Sequence, residues 1–208
     1  MAGYISESFR YYEIAKNNLI NFQDNKCAFT CVLFSAMYVE GVINDIIFSD
    51  KLTDRVLAKY KNIEPDNNYD FDLYHDRTSF DSKLAAIFEK YSFDNYEGDK
   101  KYIELKHLIS IRNSLVHLKP LEQNSKGKSI IRVSKKALNY LHNNLKIISS
   151  PFDSGVFWTD TLMNKEVAEW SINVAKQSVE YLYDVTFIPL NGNHQLDFHL
   201  KRLRIEKE

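Results

Sequence analysis

The stretch CAFTCVLFSAMYVEGVINDIIF, Cys27–Phe48, decides the fold. Its apolar residues (Cys27, Phe29, Val32, Leu33, Phe34, Met37, Val39, Val42, Ile43, Ile46 and Ile47) fall on every side of a helical wheel. A helix that is apolar all round buries itself at the centre of a protein. Asp24 or Asn25 is placed to cap it. Its middle carries the charge of Glu40, with Asn44 one turn later. A central helix of this kind needs other helices to cover it.

The flanking sequence supplies them. From about Ser8 to Phe22, the residues Phe9, Tyr12, Ala15, Leu19 and Phe22 recur at helical spacing. A short helix is expected over Lys51–Tyr60, another over Phe80–Tyr91, and a break at Tyr96–Gly98. A long helix follows from about Lys100 to Leu118, stopped by Pro120. Ser129–Val133 reads as a short strand or hairpin edge. Lys135–Ile148 reads as helix, SSPFDSG as a loop, and Lys165 to about Thr186 as the last strong helix. The expectation is an all-α fold: one domain over residues 1–208, a bundle of four to five core helices with additional short helices and room for a small β-hairpin. An acidic excursion at about 62–80 and a charged tail at about 199–208 stand outside that pattern.

Composition agrees with helices. Gly 6 and Pro 4 make 10 of 208 residues, about 5%, against a usual share of roughly 12%. Hydrophobic residues at 44% exclude a wholly disordered chain. The formal charge of -1 excludes a uniformly basic nucleic-acid binder but hides a segregation. Glu64–Asp99 holds ten acids and three bases, whereas Lys119–Lys146 holds seven bases and one acid. The basic stretch is either ordinary solvated surface or a strip for phosphates, with Lys119, Lys126, Lys128 and Arg132 as its leading contacts. Tyr residues near it are suited to stacking on bases.

The start, MAGYISESFRYYE, has no basic segment leading into an apolar one, so no secretory signal is expected. The run Cys27–Val39 reads as too short to span a bilayer. The expected location is the cytoplasm, with no membrane partner. Cys27 and Cys31 share a helix face and read as core residues. No metal site is expected, since His75, His142, His194 and His199 fall at no ligand spacing. No cofactor is expected either, because no glycine-rich phosphate loop is present.

The chemistry-bearing segment is Tyr102–Leu118, YIELKHLISIRNSLVHL. At about 100° per residue, Leu105, Leu108, Ile109, Leu115 and Val116 lie within about 60° of Arg112. Arg112 therefore sits in an apolar face, where a guanidinium must be paired or must line a site. Asn113 lies about 100° round and His117 about 140° round. Ser110 and Ser114 continue the polar side, and His107 could approach the same site. These types suit a phosphodiester: imidazole moves protons near neutrality, and guanidinium binds phosphate oxygens in a fork. The structural alternative pairs Arg112 with Glu40 and leaves His117 as a cation at a helix C-terminus.

Arg112-Asn-Ser-Leu-Val-His117 resembles the signature of HEPN domains, the all-helical higher-eukaryote and prokaryote nucleotide-binding family. That signature is Arg, four to six residues, then His, commonly with a polar residue after the Arg. The preceding HLISI, the following Pro and the earlier SAMYVEGVINDII also look like the family's pattern. About seventeen residues carry the specific match. The resemblance implies a helical bundle that forms a homodimer with two motif copies beside a shared cleft. It implies a metal-independent endoribonuclease in a bacterial toxin–antitoxin or defence system, cutting RNA (tRNA or mRNA) to a 2′,3′-cyclic phosphate. Arg112 would polarise the scissile phosphate, His117 would be the acid/base and Asn113 would orient it. Glu40, Ser114 and His107 would support them, Glu40 by tethering Arg112. An antitoxin or a nucleotidyltransferase is the implied protein partner. The alternative is a non-catalytic module of the same architecture that binds nucleotide or a protein.

Overall fold

The structure, a computed structural model, describes residues 8–24, 26–49, 79–91, 96–116, 122–123, 129–130, 135–151 and 157–186. The expected helix at Lys51–Tyr60, the acidic excursion up to residue 78 and the tail at 199–208 lie outside the described residues. So do His117, Lys119, Lys126, Lys128 and Arg132.

The fold is all-α. Helix α1 spans Ser8–Ile20, α2 Lys26–Ser49, α3 Phe80–Lys90, α4 Lys100–Val116, α5 Lys135–Asn139, α6 Trp158–Thr161 and α7 Lys165–Thr186. A single 3-10 turn, Tyr96–Gly98, precedes α4, and a π-helical turn, Tyr140–Leu145, extends α5. The one strand pairing among the described residues is minimal and antiparallel, Glu122 opposite Ile130 and Gln123 opposite Ser129. It supplies the expected hairpin edge and nothing more.

Helix α2 is the central element. It packs against α1, α3, α4 and α7, and α7 in turn contacts α1, α3 and α4. Residues on all sides of α2 are fully buried, among them Cys31, Val32, Tyr38, Val39, Val42, Ile43, Ile46 and Ile47. Its start is fixed by Asp24, whose carboxylate accepts from the Lys26 amide at 2.7 Å and satisfies an orphan donor of the first turn. Ser79 does the same for α3, accepting from the Ser82 amide at 3.1 Å. Asn164 accepts from Val167 at 2.8 Å to start α7. Its amide also donates to the Ile147 and Thr161 carbonyls, tying α7 to the end of the π turn and to α6.

The apolar run of α2 continues through Ile47, beyond the Cys27–Val39 segment read from sequence. By length and composition alone, Lys26–Ile47 could cross a membrane. Half of its most apolar stretch is buried by the other helices, as the core helix of a bundle would be. Cys31 is buried, its thiol pushed up to about 11 by burial first and by Cys27 second. Asp45 is a second acid within α2, buried and accepting a 3.0 Å hydrogen bond from the Ser8 hydroxyl.

Where α1 crosses α2, Gly41 leaves room for Ser8. A Cβ at Gly41 would stand 2.7 Å from the Ser8 Cβ and 3.2 Å from its Cα. Alanine ordinarily stabilises a helix interior by about 1 kcal/mol relative to glycine. Here the neighbour includes backbone, so the clash outweighs the propensity. Gly41→Ala is expected to lower unfolding free energy by about 1–3 kcal/mol in urea titrations. An increase in stability would show that α1 yields freely at this crossing.

Candidate functional site

The site is built where α4 meets α2. Helix α4 buries Glu104, Leu105, Leu108, Ile109 and Ile111. Burial then fades toward its C-terminal end, where Leu115 is half-buried and Val116 is 53% exposed. The wheel places Val116 in the apolar face; the structure corrects this, because position along the axis, as well as angle, decides what the neighbouring helices cover. Arg112 stands at that transition. Its side chain is 24% exposed, which seals it from neither side.

Two groups hold the guanidinium. Nη2 donates to Oε2 of Glu40 at 3.1 Å, and Nη1 donates to Oδ1 of Asn113 at 2.9 Å. Glu40 is itself 32% exposed. A guanidinium has five N–H donors. Among the described residues these two bonds leave three donors open to a ligand, on a fork that Glu40 and Asn113 orient. Glu40 thus offsets the cost of half-burying Arg112 and positions it. The described contact of Asn113 is to Arg112, so the amide orients the guanidinium.

One turn along α2 from Glu40, Asn44 accepts a 2.8 Å hydrogen bond from the buried Lys83 ammonium of α3. Residues four apart share a helix face. One side of α2 therefore carries two polar anchors, Glu40 for α4 and Asn44 for α3.

Of the other candidates among the described residues, Ser114 and His107 separate from Arg112. The Ser114 hydroxyl donates back to the Ser110 carbonyl at 2.9 Å, a local helix bond. His107 lies about 7.5 Å along the axis and about 140° round from Arg112. It faces α5, with its ring stacked on Tyr140 at 4.5 Å between centroids and 26° between planes. His107 therefore does not share a site with Arg112 within one chain.

The Tyr140 hydroxyl donates to Oε1 of the buried Glu104 at 2.7 Å, and the Lys100 ammonium lies 3.9 Å from the same oxygen. Burial, then the bond and charge of Glu104, push the Tyr140 phenol up to about 12. Glu104 falls on the buried arc of α4, a signal legible on the wheel and passed over. Tyr140 is 36 residues away, and nothing local in sequence announces the contact.

Burial lowers the His107 imidazole below its ordinary 6.5, with Glu104 pulling weakly the other way. The folded state therefore binds its proton less readily than the unfolded state. Between the folded value and 6.5 the unfolded chain carries more protons, so stability rises with pH there and falls on acidification. Urea midpoints measured from pH 7.5 down to 5.5 should drop less for His107→Gln than for the wild type. Parallel pH profiles would contradict this.

No family model matches the chain, and no curated protein or solved structure does.

Proposed function

We propose that the chain is a metal-independent endoribonuclease of the HEPN type, acting in the cytoplasm as a homodimer within a toxin–antitoxin or defence system. The observation that carries the reading is the partly exposed Arg112, oriented by Glu40 and Asn113, five residues before His117 in the sequence. Among the described residues the guanidinium keeps three donors for phosphate oxygens while Glu40 and Asn113 orient it. In the proposed reaction His117 takes the proton of the RNA 2′-hydroxyl. That oxygen attacks the adjacent phosphorus, the bond from phosphorus to the 5′-oxygen breaks, and the 5′-oxygen takes a proton from water. Arg112 stabilises the charge that builds on the non-bridging oxygens.

The products identify the chemistry. Cleaved RNA is expected to end in a 2′,3′-cyclic phosphate and a 5′-hydroxyl, read by end-specific ligation and mass measurement of a short oligonucleotide. A 3′-hydroxyl with a 5′-phosphate would mean that water, not the ribose, attacks, and would remove this mechanism.

The Glu40–Arg112 ion pair also favours a second reading, a non-catalytic helical module in which Arg112 serves the α2–α4 junction. That reading predicts that Arg112→Ala changes stability alone.

A further inference from the structure

Outside the Arg112 site, charge and aromatic rings converge on α5 and its π-helical extension. Residues 135–146 contain no acid. Lys135 and Lys136 are exposed at the start of α5, and Lys146 is exposed where the π turn ends. Lys146 holds a left-handed backbone, φ 59° and ψ 31°, its amide returned to the Leu141 carbonyl. A non-glycine residue in that region is uncommon, and π turns concentrate at functional sites.

Lys136 and Tyr140 are four residues apart and share a face. The Tyr140 ring is held rigidly, its hydroxyl on Glu104 at 2.7 Å and one face against His107 at 4.5 Å. The carboxylate beneath it is buried and lies 3.9 Å from Lys100. Exposed lysines before and after a half-buried ring pair held by a hydrogen bond and a stack are the combination that meets a nucleic-acid backbone while a base stacks.

We infer that α5 and its π-helical extension form a docking site for single-stranded RNA, with Lys136 beside Tyr140 and Lys135 and Lys146 flanking them to meet phosphates, and Tyr140, backed by His107, stacking on a base. The inference rests on the proposed action on RNA, and it names a surface that reaction does not use. Single-stranded RNA is favoured over duplex because stacking needs an unpaired base.

The test uses the full chain and a fluorescein-labelled 2′-O-methyl oligouridine of about twelve nucleotides, within the usual site size. The probe lacks the attacking hydroxyl, so binding is read without cleavage. A companion probe of the same length carries abasic residues. Lys135→Gln/Lys136→Gln is expected to reduce the slope of log affinity against log salt by about 0.7 per lysine, on both probes. Tyr140→Leu should weaken the base-bearing probe by roughly tenfold and leave the abasic probe unchanged. Tyr140→Phe, which keeps the ring and its stack on His107 but loses the bond to Glu104, should lose less affinity for the base-bearing probe than Tyr140→Leu.

A lysine variant with the wild-type slope overturns the docking site. So does a Tyr140→Leu loss that is equal on both probes, which would assign Tyr140 to the fold, or a wild type that binds neither probe. Cleavage of unmodified RNA is scored separately. A wild type that binds as described but cuts nothing removes the ribonuclease reading and keeps the docking site; cleavage with an unchanged lysine-variant slope does the reverse.

Discussion

Arg112→Ala is expected to reduce RNA cleavage by about a hundredfold to a thousandfold, the usual cost of removing one oriented donor from a developing oxyanion. The loss should appear in turnover with little change in folding. Arg112 is partly exposed and, among the described residues, bonds Glu40 and Asn113, so its removal leaves a partly exposed carboxylate that water can solvate. The stability cost should stay near about 1 kcal/mol. Arg112→Lys separates charge from shape. A lysine could still meet Glu40, but it lacks the planar fork that fits two phosphate oxygens. Activity between the wild type and the alanine variant is the expected result, measured by initial rates on one labelled substrate. An unchanged rate in Arg112→Ala would leave the ion pair as a helix junction alone.

Leu108→Ala should show the opposite pattern. Leu108 is fully buried on α4, at the contact of that helix with the core. Removing its side chain takes away apolar burial and leaves a cavity, at a cost of about 2–5 kcal/mol. The urea midpoint should fall with the slope of the transition unchanged. Activity per folded molecule should survive at low temperature, because Arg112 and Glu40 are held by their own bonds. A loss under about 1 kcal/mol would mean that α4 is less tightly packed than its burial requires.

The two variants together separate what α4 does. Its middle turns, Glu104–Ile111, anchor the helix in the core, and its last turn carries the polar groups. Large stability losses with retained chemistry in one part, and the reverse in the other, would be difficult to obtain from a helix with a purely structural role.

Much of this was legible in the sequence. The all-round apolar surface of Cys27–Phe48 marks the central helix, and the observed Lys26–Ser49 follows from it. The bounds of α7 match the periodicity of Lys165–Thr186 because that helix is strongly two-faced. Glu40 could be named as a partner of Arg112 because a charge inside an apolar helix needs a counter-charge. Other long-range relations were not legible. A wheel gives angles but not where a neighbouring helix ends, so the exposure of Val116 was missed. It also places His107 on the polar side without telling that Tyr140 covers it. The π turn was read as continuous helix, since one extra residue per turn leaves no mark in the apolar spacing of Leu138, Leu141 and Leu145.

Cleavage of RNA by Arg112 and His117 without a metal can be read in a single experiment. Wild type, Arg112→Ala and His117→Ala are incubated with tRNA and total RNA in EDTA, and the products are resolved by length. Discrete cleavage by the wild type that both variants lose is the expected result. Equal background from all three proteins, or cleavage that survives in His117→Ala, would contradict it.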